Sequence, residues 1–231
     1  MTMAPKHIGI VACSYEGAAL CYREIGARAE PLLGAWNHPR ITIDSIPMAT
    51  YLQAFDSHDY ARLADIMSDS INVLAAAGAD FAICPDNSCH VALGYLRDLP
   101  IPFLSIIEAV AEEAQRRNLR RVAVLGTRFT MGSDMYERAL ASRGIDTLLP
   151  TPAEQRLIDR VIFQELVKGS FTDSSRARFA RIIDRMAAAG CDSAALVCTE
   201  IPILISEHKS VHLLNSTQLL AAAALVEAMR R

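Results

Sequence analysis

One segment of the chain occurs twice. Residues 75–87 read AAAGADFAICPDN and residues 187–199 read AAAGCDSAALVCT, with six of the thirteen positions identical and flanking elements that match in type. A shared Ala-Ala-Ala-Gly-x-Asp-x-Ala lead into an apolar run indicates a duplicated helix–turn–strand unit, and duplication restricts the fold more than any single motif. HIGIVAC and RVAVLGT correspond likewise, as the opening strands of the two halves. Short strand-type runs (HIGIVACS, ITIDSIP, FAICP, RVAVLGT, IDTLLP and AALVCT) alternate with amphipathic helical patterns. Two of these patterns, residues 60–78 and 174–190, end in a glycine where a helix C-cap belongs. Such alternation predicts an α/β fold: two similar lobes, each a parallel sheet flanked by helices. A pseudo-two-fold axis is expected to relate them, with the active site in the cleft between them.

Composition removes several function classes. The 231 residues are 52% hydrophobic and 21% charged, with a net charge of −3. A packed interior is expected, and no basic cluster longer than a pair such as Arg116-Arg117 offers a footprint for nucleic acid. The opening MTMAPKHIGIVACS has too short an apolar run for a secretory signal, and no apolar stretch reaches the roughly 18 residues of a membrane span. A cytoplasmic protein with no membrane partner is expected. Its six cysteines should then be free thiols.

The stretch FAICPDNSCH carries the first concentration of chemistry. Aligning the repeats sets Asp86 opposite Cys198 and Asn87 opposite Thr199. In open parallel sheets, ligands bind beyond the carboxyl ends of the strands. Two lobes facing each other would hold Asp86 and Cys198 on opposite sides of one cleft. Stereoinversion at a carbon requires such a pair, one group removing a proton and the other returning it to the opposite face. A thiol suits the task, because its ordinary pKa of about 8.5 makes both forms accessible. Strand ends that run into helices supply backbone N–H groups, so a substrate carboxylate is expected beside Asn87-Ser88 and Thr199.

With these residues in view, the chain resembles the aspartate/glutamate racemase family, whose enzymes work without pyridoxal phosphate. The resemblance runs through HIGIVACSYEGAA, PDNSCH, LGTRFTMGSDMYERAL, VKGSF, VCTEIPILI and LLNSTQLLAAAAL. Its most specific parts are Cys198 to Pro202 and Gly126 to Met131. In that family two cysteines face the substrate α-carbon; the second matches Cys198, and the first position is held here by Asp86. The resemblance therefore implies a cofactor-independent amino-acid racemase acting on a small carboxylate, Cys198 and Asp86 being its acid/base groups. It further implies substrate contacts from Thr127, from Ser14 or Tyr15, and from Lys168, with Thr130 as a ligand or a helix cap. The family arginine that grips a distal carboxylate has no counterpart in SIPMATYLQAF, so aspartate or glutamate specificity does not carry over. A homodimer is implied as well. The C-terminal helix, residues 216–231 and capped by Ser216 or Thr217, is expected to return to the first lobe. The lobes would then be residues 1–103 with 211–231, and residues 104–210.

An ionised Asp86 is a weaker base than a thiolate, which leaves rival outcomes open. Cys198 could act alone on one face, as in a decarboxylase or a cis–trans isomerase of a diacid, or the fold could be a silent binder of small carboxylates. Cys84 and Cys89, on the strand and one turn into the following helix, are secondary candidates for a missing thiol. Glu200 could orient the surroundings of Cys198, and His90 is expected to pack rather than react. No metal is expected: His208 and His212 lie four apart beside Glu207, but without a third ligand. Gly126 to Gly132 lacks the ending of a phosphate-binding loop.

Overall fold

The computed structural model describes residues 4–230. It divides into two compact units, one of residues 1–106 with 217–231 and the other of residues 107–216. The first contains β1 (Ile8–Ala12), α1 (Tyr15–Leu33), β2 (Ile41–Ser45), α2 (Met48–Asp56), α3 (Tyr60–Ala76), β3 (Phe81–Ile83), a 3-10 helix over Asn87–Tyr95 and β4 (Phe103–Leu104). All four strands are parallel in the order β2-β1-β3-β4. β1 and β3 are wholly buried, whereas β2 is half-exposed at the sheet edge. Ile8, Ile10, Phe81 and Ile83 are buried, as are Leu63, Met67, Ile71 and Leu74 on the apolar face of α3, whose Leu74 lies against Gly9 of β1. α10 (Ser216–Met229) runs back into this unit, where Lys6 pairs with Glu227.

α4 (Ile106–Arg116) opens the second unit. It continues with β5 (Arg121–Gly126), α5 (Arg128–Met131), α6 (Met135–Ala141), β6 (Asp146–Leu148) and α7 (Pro152–Gln164). A 3-10 turn over Leu166–Lys168, α8 (Asp173–Ala188), β7 (Ser193–Val197), α9 (Ile201–Leu204) and β8 (His212–Asn215) complete it. The sheet is again fully parallel, in the order β6-β5-β7-β8. Leu125, Ile158, Ile162, Phe179, Ile183, Met186 and Leu196 form its core. The two units thus share one strand order, as the repeated segment requires. Among the described residues no helix is long and apolar enough to cross a membrane.

Local chemistry explains the helix limits. α3 starts at Asp59, whose side chain accepts from Arg62 N–H, and α8 starts at Thr172, which accepts from Ser175 N–H. Both helices run out into a left-handed glycine, Gly78 at φ 87° and Gly190 at φ 92°. α7 carries a full capping box, Thr151 with Glu154, and Pro152 in its first turn. One expectation is corrected: β8 belongs to the second sheet, pairing with β7, and so lies outside the first unit. His208 lies in a loop and His212 on β8, and His208 Nε2 faces Asp184 Oδ1 at 3.4 Å.

Gly126 ends β5 against β7. A Cβ there would meet Val197 Cγ2 at 2.7 Å and Val197 O at 3.0 Å, and the second of these is backbone that cannot step aside. Gly126→Ala is therefore expected to cost about 1–3 kcal/mol through forced separation of the strands. Gly26→Ala, inside α1 with nothing within 4 Å of the added carbon, should instead gain about 0.5–1 kcal/mol. Urea unfolding of both variants checks the contrast; equal effects would contradict it.

Candidate active site

In the first unit the site residues follow from the pairing of β1 with β3, in which Ile10 stands opposite Ile83. Beyond that pair, four residues on from Ile10 and three from Ile83, the strand ends bring Ser14 to Asp86, and Ser14 N–H donates to Asp86 Oδ2 at 3.0 Å. Ser14 is also the N-cap of α1, its Oγ accepting from Gly17 N–H at 2.9 Å. The Asp86 carboxylate thus sits at the head of a 19-residue helix, where backbone N–H groups favour negative charge. Asp86 has extended backbone and begins the 3-10 helix without capping it. Asn87 is buried and Ser88 half-buried behind it, whereas Tyr15 is 71% exposed at the first residue of α1.

His90 anchors the backbone of Asp86. Its Nε2 accepts from Ile106 N–H at 3.2 Å, which leaves Nδ1 as the protonated nitrogen, donating to Asp86 O at 3.0 Å. Burial pulls the His90 pKa down to about 4 against the opposing Asp86 carbonyl bond, so the ring is neutral near pH 7. His90 is a positioning residue, in line with its expected packing role.

Cys84 and Cys89 are fully buried, and Cys13 nearly so. A hydrogen bond to Cys89 lowers the Cys13 pKa, but burial and the nearby Asp86 and Cys84 outweigh it and push the thiol up to about 11. Hydrogen bonds with Cys13 and Cys84, together with burial, hold Cys89 well above the ordinary thiol range. Cys13 and Cys89 stay protonated at neutral pH as packing groups. Cys89 also stands in a 3-10 turn rather than the α-helix expected there.

The second unit repeats the arrangement with different groups. Gly126 stands opposite Val197, so Thr127 and Cys198 leave neighbouring strand ends together. Cys198 is half-buried, and its Sγ donates to Glu200 Oε2 at 3.0 Å. Thr199 Oγ1 donates to the same oxygen at 2.7 Å. Glu200, itself 7% exposed, thus fixes the direction of the thiol hydrogen. The helix cap at α5 is Thr127 rather than Thr130: Thr127 Oγ1 accepts from Thr130 N–H, and the two hydroxyls lie 3.3 Å apart. Arg128 is turned onto Asp159, by its N–H at 2.8 Å and its guanidinium at 3.3 Å, and stacks on Phe129 and Phe163. Lys168 is solvent-exposed at the end of its 3-10 turn, ahead of left-handed Gly169 at φ 74°. No group of three or more His, Cys, Asp or Glu among the described residues could hold a metal ion.

Sequence reasoning missed Cys13, which joins the buried thiols through the register of β1 with β3, a pairing that no local motif reveals. To the expectation that Glu200 orients the surroundings of Cys198, the geometry adds that it accepts from both Cys198 and Thr199.

The depressed His90 pKa sets a pH dependence of stability. The unfolded imidazole titrates near 6.5, so between about pH 6.5 and 4 the unfolded chain binds the extra proton. The His90 contribution is complete above about pH 6.5 and is lost as pH falls through that window, about 3 kcal/mol in all. Urea unfolding across the window should show a slope that His90→Asn flattens. An unchanged slope would mean that His90 is not held neutral.

Comparison with known proteins fits this geometry. The family description Asp/Glu/Hydantoin racemase matches residues 9–224. A crystal structure of a candidate Asp/Glu racemase from Yersinia pestis is 26% identical, with a TM-score of 0.89, covering 97% of this chain and 100% of that one. An aspartate racemase homologue from Pyrococcus horikoshii OT3 is also 26% identical, with a TM-score of 0.83 and the same coverage. The broad specificity amino-acid racemase RacX of Bacillus subtilis (strain 168) is 30% identical over 123 residues, 52% of this chain and 53% of that protein. The similarity thus spans about half the length of that curated relative. With a match that runs through both strand ends bearing Asp86 and Cys198, the chain belongs to the Asp/Glu/Hydantoin racemase family.

Proposed function

We propose that the protein is a cofactor-independent amino-acid racemase that moves a proton at the α-carbon of a small carboxylate substrate. One observation carries this reading. Asp86 and Cys198 follow β3 and β7, strands that hold the same place in two sheets of the same order. A duplicated scaffold with one acid/base group at each equivalent strand end suits a reaction with two faces. Asp86 is the base on one face and Cys198 the proton donor on the other, with both roles exchanged for the opposite enantiomer.

The surroundings of each group support its assigned role. Ser14 N–H on Asp86 Oδ2 favours the carboxylate, the form that accepts the α-proton. Glu200 Oε2 receives the Cys198 S–H, which keeps the thiol hydrogen in place until the carbanion draws it away. One passage leaves Asp86 protonated and Cys198 as thiolate, and exchange with water restores the starting form. A free Asp titrates near about 3.9 and a free thiol near about 8.5, so the two directions start from unequal resting forms. Substrate contacts are assigned to Asn87, Ser88, Thr127, Thr130, Thr199, Ser14, Tyr15 and Lys168. Neutral donors among them hold the α-carboxylate. A homodimer acting on a small-molecule substrate completes this reading.

The test is α-proton exchange in D2O followed by proton NMR, with chiral chromatography of the products. Single-enantiomer amino acids should gain deuterium and invert. Cys198→Ala should abolish inversion, and Asp86→Asn should slow it at least about a hundredfold, the scale of a lost general acid or base. Exchange with retention that depends on Cys198 alone would replace the racemase by a catalyst working on one face.

A further inference from the structure

The second unit also holds an open cavity of about 650 Å³ whose lining includes no group assigned to proton transfer. One wall is α8, which presents Arg176, Ala180 and Asp184 one turn apart on a single face. The other is the segment of residues 204–210 that leads from α9 towards β8. Both ends are tied. At one end Arg176 Nε donates to Leu204 O at 2.9 Å. At the other, His208 Nε2 faces Asp184 Oδ1 at 3.4 Å, and Ser210 Oγ donates to the same oxygen at 3.3 Å. Ser210 N–H donates to His208 Nδ1 at 3.2 Å, which leaves Nε2 to carry the ring hydrogen. The cavity is thus pre-formed and of the size at which small-molecule sites ordinarily occur.

The fixed charges of the lining balance. Arg176 and Lys209 are positive, Asp184 and Glu207 negative. Arg176 is met by Asp173 of its own turn, and Asp184 by His208 and Ser210. Glu207 and Lys209, exposed and two residues apart, make no ion pair among the described residues. Ala180, Leu204 and Ile205 supply an apolar floor, the last two buried. One unmet anion and one unmet cation beside apolar surface match a zwitterion.

We propose that this cavity is an effector site for a zwitterion with an apolar body, a free α-amino acid or a short peptide. Its carboxylate sits at Lys209, its ammonium at Glu207 and its side chain on Leu204 and Ile205. Exposed charges add little affinity singly, so the apolar contact carries the binding and the two charges select the ligand. α9 links the site to the thiol. Glu200 precedes this helix and Leu204 ends it. Ile201 N–H donates to Cys198 O at 3.2 Å, Leu204 N–H to Glu200 O at 3.3 Å and Ile205 N–H to Ile201 O at 2.9 Å. A ligand seated on Leu204 and Ile205 braces the turn that holds Glu200 Oε2 on the Cys198 S–H. A carboxylate kept there disfavours the thiolate, so an occupied site slows reaction at sulfur.

Binding is tested by isothermal titration with L-leucine and glycyl-L-leucine, beside 4-methylpentanoate and 3-methylbutylamine. The last two keep the apolar body of leucine without its ammonium or its carboxylate. Binding by leucine alone names a free amino acid, and by the dipeptide alone a peptide. Either should exceed both trimmed ligands at least about threefold. Glu207→Ala with Lys209→Ala should weaken it about tenfold, and Ala180→Trp, which fills the cavity, should abolish it. The double variant alters only exposed side chains, so it decides the point even if Ala180→Trp unfolds. No binding by either zwitterion, equal binding by a trimmed ligand, or affinity unchanged in the double variant would overturn the proposal; the last would place the ligand elsewhere, at the site of proton transfer for example. Coupling is read at Cys198, the other five cysteines being buried. Its alkylation by iodoacetamide, followed by mass spectrometry, should slow at least about threefold with ligand, and the double variant should lose that effect at the same ligand concentration. An unchanged rate at saturating ligand would overturn the effector role. Neither readout needs turnover, so both stand whether or not the protein racemises an amino acid.

Discussion

The parallel pairing of the two inner strands in each sheet sets the position of every group assigned to the site. β1 with β3, and β5 with β7, are buried along most of their length, so their registers are held by side chains that cannot slip without exposing a core face. Those registers decide which loops meet: Ser14 with Asp86 in one unit, Thr127 with Cys198 in the other. Gly126 shows how close the approach is, since the space for its missing Cβ is filled by Val197. Function on this scaffold is therefore a matter of which residues follow the strands.

Past the end of β3 the first unit places a carboxylate, Asp86. A carboxylate there needs donors, and the first unit supplies one from the head of α1. His90 supports the same turn from behind by tying the Asp86 carbonyl to the start of α4. The thiols nearest to it are turned inward, in a low-dielectric interior that disfavours thiolate. The acid/base candidate of the first unit is thus the carboxylate, and that of the second a thiol whose hydrogen is directed at Glu200.

Much of this was legible in the sequence because duplication and periodicity are long-range and redundant. The repeated segment gave the strand-end equivalence of Asp86 and Cys198, and the glycines at 78 and 190 gave helix ends that a left-handed turn makes nearly obligatory. β4 and β8 escaped notice for a physical reason. Two-residue and four-residue edge strands bury little, and their pairing is set by the inner strands rather than by their own pattern. The cap at α5 was ambiguous because Thr127 and Thr130 both carry hydroxyls at the same turn, and only backbone direction chooses between them. The pairing of His208 with Asp184 and the convergence of Cys13 with Cys89 bring together residues distant in the chain, which no local pattern encodes.

A carboxylate at residue 86 disturbs the fold little, and the reason lies in where that position stands. Asp86 is half-buried, past the last paired residue of β3, so its side chain replaces no core contact. The packing is carried by the buried Cys84, Cys89 and Cys13. A partly buried carboxylate is costly when it lacks donors, and here a helix head already points at it. Because the two strand ends sit in separate cores, the groups they carry can diverge independently. A symmetric scaffold can in this way come to hold an asymmetric pair of acid/base groups without either sheet adjusting.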